Sequence, residues 1–387
     1  MTGARPGEPA GPGRVTARLR RAVAPYPLHV DLTPNRWWRT ALSAVCAILV
    51  LAACGQTQGE APAWREPTPE SPTAAPTPTA PPELRLVFAG DVHFTGRTLR
   101  LLRDPDTAFG DIASTLRDGD LTVLNLETAV TERGTPQPKR FHFRAPATAY
   151  DALRAAGVDA VSIANNHTLD YGQVGLLDTL DSARAADFPV FGAGRDVNEA
   201  YAPWITTVRG VRVAVLGMSQ VHELAEQWKA TPTRPGIAMA FDTRRATAAV
   251  TAARDQADLV VVFMHWGIEG NSCPSGEMKT FARKLAEAGA DIVVGTHAHT
   301  LLGDGWLGRT YVHYGLGNFL WYGSSRSTDS GVLRLTVRGR NVVDTEFLPA
   351  TVSGTGQPVL VSGAEKKRIQ EKVAAVRRCT GLSRSPA

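Results

Sequence analysis

Five short apolar runs, each ending in side chains able to hold a metal ion, constrain this chain more than any other feature of it. The last run, Val293-Val294-Gly295, leads into Thr296-His297-Ala298-His299. A β-branched run of this kind reads as a buried strand, and the glycine is expected to let the chain turn sharply at its end. In an extended tip, residues i and i+2 point the same way, so His297 and His299 are expected to face one ion or two adjacent ones. The run 84–89 ends in Gly90-Asp91-Val92-His93, and 121–124 ends in Asn125-Leu126-Glu127. The run 158–164 ends in Asn165-Asn166-His167, and 259–264 ends in His265-Trp266-Gly267-Ile268-Glu269. Five of the nine histidines fall at these tips, which sets them apart from scattered solvated side chains. In open α/β sheets the ligand site lies beyond the carboxyl ends of the strands, so tips distant in sequence converge in space. The whole set is read as one site.

Between the runs lie stretches with helical character at 107–117, 148–156, 176–186, 243–256 and 276–288. This βαβα rhythm implies a mostly parallel sheet covered by helices. Residues 204–208 and 211–216, joined by Arg209-Gly210, read as a β-hairpin. A second hairpin, 331–337 with 342–347, suggests antiparallel strands on a second sheet. No internal repeat is visible.

A chain that is 43% hydrophobic and 20% charged has enough apolar material for one large domain with appendages. The net charge of +5 is weighted toward the N-terminus through Arg5, Arg14, Arg18, Arg20, Arg21, Arg36 and Arg39, so no nucleic-acid partner is inferred. Residues 1–54 read as a signal peptide, a basic segment followed by an apolar stretch too short to span a membrane comfortably. It closes in Leu51-Ala52-Ala53-Cys54-Gly55, which resembles a bacterial lipobox; an ordinary signal peptide or an anchor helix is the alternative. Acyl chains on Cys54 would hold an exported protein at the outer face of the cell membrane, its partner there being membrane lipid. Residues 55–82, rich in Pro, Thr, Ala and Glu, are expected to form a disordered tether. The domain proper is expected over 83–352, and 353–387 as a tail helix. The apolar stripe of that helix, Ile369, Val373 and Val376, is expected to pack on its own domain. Cys273 and Cys379 are the only thiols beyond the leader, and in an exported protein they are expected to pair and pin the tail near the His265 loop.

The tip motifs, together with Gly315-Leu316-Gly317-Asn318-Phe319, occur in the order found in the CapA family of poly-γ-glutamate capsule proteins, and the resemblance runs from about 84 to 352. That family is similar to calcineurin-like metallophosphoesterases, which implies an α/β fold, a four-layer α-β-β-α sandwich. Residue by residue, the resemblance implies two divalent ions held by Asp91, His93, Glu127, Asn166, His265, His297 and His299, with His167 as the catalytic histidine. Glu127 stands where metallophosphoesterases place a bridging Asp. Carboxylate, amide and imidazole ligands suit Mn²⁺, Fe, Zn²⁺ or Co²⁺. Two such ions can clamp a phosphoryl group and acidify a water, with His167 protonating the leaving oxygen.

Around this set, Glu269 is placed to orient His265 or touch substrate, and Asn125 and Asn165 to support the ligands. Asn318 reads as part of a strand-ending turn. Arg97, Lys139, Arg140 and Arg144 lie in loops after tip residues, where they either bind an anionic polymer or phosphate or are solvated charge. Three functions follow: a metal-dependent hydrolase of a phosphoester or polymer linkage, a non-catalytic subunit working with membrane proteins that build and export capsule, or a lipoprotein that holds an anionic polymer. An intact ligand set with His167 beside Asn166 favours the first over the third.

Overall fold

The structure, a computed structural model, describes residues 81–322 and 327–387. The expected signal peptide, Cys54 and nearly all of the tether lie outside them. No helix among the described residues is long and apolar enough to cross a membrane.

The chain builds one sheet, crosses to a second, and returns to finish the first. The opening half supplies β1 (Glu83–Val92), α1 (Ile112–Leu116), β2 (Leu121–Leu126), α2 (Thr148–Ala155), β3 (Ala160–Ser162), α3 (Gly172–Ala185) and β4 (Val190–Phe191). Next come β5 (Trp204–Val208), β6 (Val211–Ser219), α4 (Thr243–Gln256), β7 (Leu259–Trp266), α5 (Gly276–Glu287), β8 (Ile292–His297), β9 (Asp304–Leu307) and β10 (Thr310–His313). The return consists of β11 (Asn318–Leu320), β12 (Asp329–Arg338), β13 (Asn341–Val352), β14 (Pro358–Leu360) and the tail helix α6 (Gly363–Val376).

The first sheet runs β14-β13-β12-β1-β2-β3-β4, with β11 also paired to β1; the second runs β9-β10-β8-β7-β6-β5. Three apolar layers separate four structural layers. Leu86, Phe88 and Val123 of the first sheet meet Val213, Val261, Phe263 and Val294 of the second. The opposite face of the first sheet packs on Ile112, Tyr150, Leu153 and Leu176, and that of the second on Val250, Phe281 and Leu285. The fold is therefore the α-β-β-α sandwich that the family resemblance implies. Because their strands are covered on both faces, β1, β2, β7 and β8 read as continuous apolar runs rather than alternating ones.

Three sequence expectations change. The second hairpin, β12–β13, extends the first sheet, because β12 pairs antiparallel with β1 from Glu83↔Arg338 to Ala89↔Val332; β5–β6 is the hairpin of the second sheet. The helix expected over 107–117 is broken: a 3-10 turn spans Pro105–Thr107, and α-helix is confined to Ile112–Leu116, with Gly110 at φ 64° between them. Finally, β14 joins β13, so the first sheet continues past residue 352.

The tail packs on the domain through Ile369 and Val373, which meet Leu301. Arg368 and Lys372 bond the buried Asp329, and Arg377 bonds the buried Asp304. Cys379 forms a disulfide with Cys273, Cα atoms 5.8 Å apart, tying the tail to the segment after β7.

Candidate metal centre

The carboxyl ends of β1, β2, β7 and β8, with the turn after β3, bring the polar tips together. Register sets the rows: Asp91 lies opposite Asn125 of β2 on one side and Asn318 of β11 on the other. His265 lies opposite Thr296, and Trp266 opposite His297. Close backbone approach is needed here. A Cβ at Gly90 would sit 1.8 Å from the Gly317 oxygen, which accepts from the Asp91 amide, so only glycine lets β1 and β11 meet. Gly295 serves packing rather than turning, since a Cβ there would lie 2.3 Å from the Trp266 indole nitrogen. The turn falls on the histidines themselves. His297 (φ 85°) and His299 (φ 54°) are both left-handed, so the tip is coiled rather than extended.

Glu127 stands at the middle. It is fully buried, and neither carboxylate oxygen has a hydrogen-bond partner among the described residues. It belongs to two groups whose ligand atoms lie within 4.8 Å of one another, Glu127 with His297 and His299, and Asp91 with Glu127 and His265. Its Oε1 lies 3.5 Å from His265 Nε2. A buried carboxylate without a hydrogen-bond donor is costly unless a cation faces it. Two acid–imidazole groups sharing that carboxylate, with both described cysteines committed to the disulfide, fit divalent cations bound through nitrogen and oxygen.

Burial and mutual charge set the protonation of these groups. Burial, reinforced by Asp91, pushes the Glu127 carboxyl well above its ordinary range. Burial pushes Asp91 up, but bonding to His299 and the His299 and His265 charges outweigh it, leaving Asp91 below its ordinary value. His265 falls to about 3, chiefly through burial, and His297 also lies well below the ordinary imidazole range. A neutral imidazole offers the lone pair a metal requires. His299 goes the other way, to about 9, because the Glu127 and Asp91 charges overcome burial; its Nδ1 lies 3.3 Å from Asp91.

The supporting asparagines form a chain. Asn125 donates to Asp91 (2.8 Å), and Asn165 donates to Asn125 (3.1 Å) and to the Leu126 carbonyl (2.8 Å). Asn166 Oδ1 faces His265 Nε2 at 2.8 Å. Asn318, expected in a turn, instead opens β11 and places Oδ1 2.8 Å from His299 Nδ1. Asn125 and Thr296 flank His265 Nδ1, while Glu269 is exposed on the rim, its charge felt at Glu127, His265 and His299.

Two expected ligand or substrate residues are placed differently. His93 lies outside both acid–histidine groups. Its Nδ1 accepts from the Thr95 amide at 3.1 Å, and its ring is packed among Phe143, Trp321 and Tyr322. Arg144 turns away from the centre, stacking on Tyr171 at 3.4 Å and donating to the Arg133 carbonyl, while the preceding Phe143 stacks on His93 and His167. Of the other loop cations, Arg97 bonds the Gly354 carbonyl and Arg140 lies against the exposed Phe141.

His167 lies beside the cluster, Nε2 3.8 Å from Glu127, its ring stacked on Phe143 with centroids 3.9 Å apart. Its Nδ1 meets Asp170 Oδ2 at 2.6 Å. Sequence reading missed Asp170. The signal is its position three residues after His167, which becomes contact only because the chain turns there, the Asp170 amide donating to the His167 carbonyl. Burial raises Asp170 to about 6, against the lowering effect of Lys139. Burial and then Lys139 hold His167 well below its ordinary range. An ionised Asp on Nδ1 fixes the ring and stabilises its protonated form. This pair, set against a metal-competent cluster, can deliver a proton to a leaving group beside bound cations.

Residues 85–322 match a protein-family model described as bacterial capsule synthesis protein PGA_cap. The chain is 29% identical to the capsule biosynthesis protein CapA of Bacillus anthracis, over 75% of this chain and 73% of that one. It is 29% identical to the PGA biosynthesis protein CapA of Bacillus subtilis, over 73% and 75% respectively. It is also 32% identical, over 46% of this chain and 50% of the other, to a Mycobacterium tuberculosis protein named "Probable polyglutamine synthesis accessory protein". Among solved structures, the NAD nucleotidase of Haemophilus influenzae shares 14% identity and a TM-score of 0.42 over 79% of this chain and 65% of that one. At that score the likeness carries no argument, and the fold rests on the layers and topology given above.

Proposed function

Because the chain belongs to the bacterial capsule synthesis protein family, we propose that it is an accessory protein of polyglutamate capsule synthesis whose metal centre hydrolyses a phosphoester or polymer linkage. The observation that carries this reading is Glu127, a buried carboxylate without a hydrogen-bond partner among the described residues, shared by two acid–histidine groups and 3.8 Å from His167.

Asp91, Glu127, Asn166, His265, His297 and His299 would hold the ions. Bound divalent cations supply positive charge that draws in a phosphoryl oxygen and acidifies a water. The chain's own residues do the rest. Asn125 and Asn318 hold Asp91 and His299 in place, and Thr296 fixes the His265 ring. His167, neutral at rest with Nδ1 bonded to Asp170, would take up on Nε2 the proton lost by the attacking water and pass it to the departing oxygen, Asp170 offsetting the charge of the protonated ring. One proton leaves the water and one reaches the leaving oxygen, so His167 ends the cycle neutral, as it began. Phe143 keeps one face of His167 dry.

A second reading, a non-catalytic assembly or export subunit meeting capsule-synthesis membrane proteins, is favoured by the word "accessory" in the M. tuberculosis relative's name. The His167–Asp170 pair favours catalysis, since holding a polymer requires no such pair. Export with lipid attachment at Cys54 completes the proposal and places the site in the cell envelope. Metal analysis of the purified chain, with hydrolysis of a phosphodiester and of γ-glutamyl peptides by wild type and His167→Ala, tests it. The variant is expected to keep its metal and lose turnover; loss of metal, or unchanged turnover, refutes the role of His167. Cys54→Ala is expected to release the protein from the membrane fraction.

A further inference from the structure

Among the four loop cations singled out in the sequence, all of them described residues, Lys139 has a side chain withdrawn from solvent, only 2% of it being exposed. A buried ammonium is tolerated when its three N–H donors are all engaged. Here they meet Asp170 Oδ1 at 3.0 Å, Glu223 Oε2 at 2.9 Å and the Asn166 main-chain carbonyl, with the Trp228 ring 5.0 Å away. No donor is left for substrate, so neither expectation for this residue, anion binding or solvated charge, describes it. Each partner belongs to a different segment: the turn carrying Asn166, His167 and Asp170, the loop after β6 carrying Glu223, and the loop before Phe143 carrying Lys139 itself.

Asp170 shows what this contact does. Its Oδ2 is shared between the Phe143 amide and His167 Nδ1, both at 2.6 Å. Its Oδ1 has no hydrogen-bond partner among the described residues beyond the Lys139 ion pair. Without Lys139 nothing among the described residues would hold Oδ1, and the carboxylate plane would be free to tilt away from His167 Nδ1.

We propose that Lys139 is a positioning residue, which locks the Asp170 carboxylate and thereby fixes the His167 ring in line with the metal centre. Its effect on turnover rests on the hydrolytic reading above; its effect on the His167–Asp170 bond does not. The test is Lys139→Met, of similar length and without charge, in the full-length protein. With a phosphodiester that has a p-nitrophenolate leaving group, which departs without protonation, the rate is expected to stay within about threefold of wild type. With an alkoxide leaving group it is expected to fall roughly 30-fold or more, toward the lower end of what general acid catalysis contributes. KM and metal content stay unchanged.

Proton NMR of the metal-free protein gives the independent readout. A downfield Nδ1 proton, identified by its absence in His167→Ala, is expected in wild type and lost or shifted in Lys139→Met. Equal losses on both esters, or an unshifted resonance, overturn the proposal. If wild type cleaves neither ester, the hydrolytic reading fails while the resonance still decides the role of Lys139. If Lys139→Met does not fold, Lys139→Arg serves, being expected to show a smaller loss with the same leaving-group dependence. An equal loss on the two esters by that variant refutes the proposal as well.

Discussion

Glu127→Gln separates a ligand from a structural acid. With no cation bound, the Glu127 charge destabilises the fold: it is buried, has no hydrogen-bond donor among the described residues, and is pushed well above its ordinary value of 4.5 by burial and then by Asp91. A carboxyl raised in the folded state binds a proton more readily there than in the unfolded chain, so its contribution to stability falls as pH rises above that value. Glutamine keeps the volume and removes the charge. Leaving a buried polar group unsatisfied costs about 1–3 kcal/mol, so in EDTA at neutral pH Glu127→Gln is expected to match wild type or exceed it by up to that amount. At roughly 2–4 °C per kcal/mol, Tm is unchanged or rises by up to about 6–12 °C. Metal reverses the order. At a hundred times its Kd one ion stabilises the native state by about 2.7 kcal/mol, whereas a variant binding a hundredfold more weakly gains only about 0.4 kcal/mol. Differential scanning calorimetry in EDTA and through a Mn²⁺ or Zn²⁺ titration reads both regimes. A Glu127→Gln protein less stable than wild type by the same margin with and without metal refutes the argument and makes Glu127 a structural residue.

Three further outcomes are expected. Asp91→Ala and His297→Ala deplete bound metal in elemental analysis, because each removes a member of one acid–histidine group; full metal content in either variant contradicts the assignment. Reducing Cys273–Cys379 lowers thermal stability, by up to about 4–5 kcal/mol on the chain-entropy view for a link across 106 residues. Intact mass with and without reductant confirms the bond, and an unchanged melting curve after reduction removes it from the stability of the fold. Asp329→Asn weakens the docking of α6. Burial pushes the Asp329 carboxyl up, but Arg368 and Lys372 outweigh it and hold it below its ordinary 3.8. Its contribution is therefore complete above that value and lost as pH falls through the lower folded value. Since Arg368 and Lys372 are half-exposed, the variant should cost only about 1 kcal/mol at neutral pH, with the gap to wild type closing below pH 3.8 in acid denaturation.

The apolar runs and their polar ends were legible without coordinates, because a strand covered on both faces must be continuously hydrophobic and the first polar residue beyond it marks where the strand leaves the core. That local rule located Asp91, Glu127, Asn166, His167, His265, His297 and His299. It also gave the hairpin 204–216 and the helix at 243–256, which depend on turn chemistry and period alone. Residue type and spacing could not say which way a side chain turns once the strand ends. His93 lay outside the two acid–histidine groups, Arg144 turned onto Tyr171, and Gly295 proved to be a packing position, because neighbouring strands and rings fill the space around them.

Long-range pairing decided the remainder. Whether β12–β13 joined the first sheet or the second depended on its contact with β1, more than two hundred residues away along the chain. Lys139 looked like a loop cation because its composition is that of a surface segment, and only the folded chain brings Asp170, Glu223 and the Asn166 carbonyl close enough to bury it. Sequence by itself determined which residues have ligand chemistry and that they end strands, since hydrophobic burial acts locally and leaves a pattern. Tertiary structure alone decided which of them share Glu127 and which partner holds His167, since directional contacts between distant segments leave no such pattern.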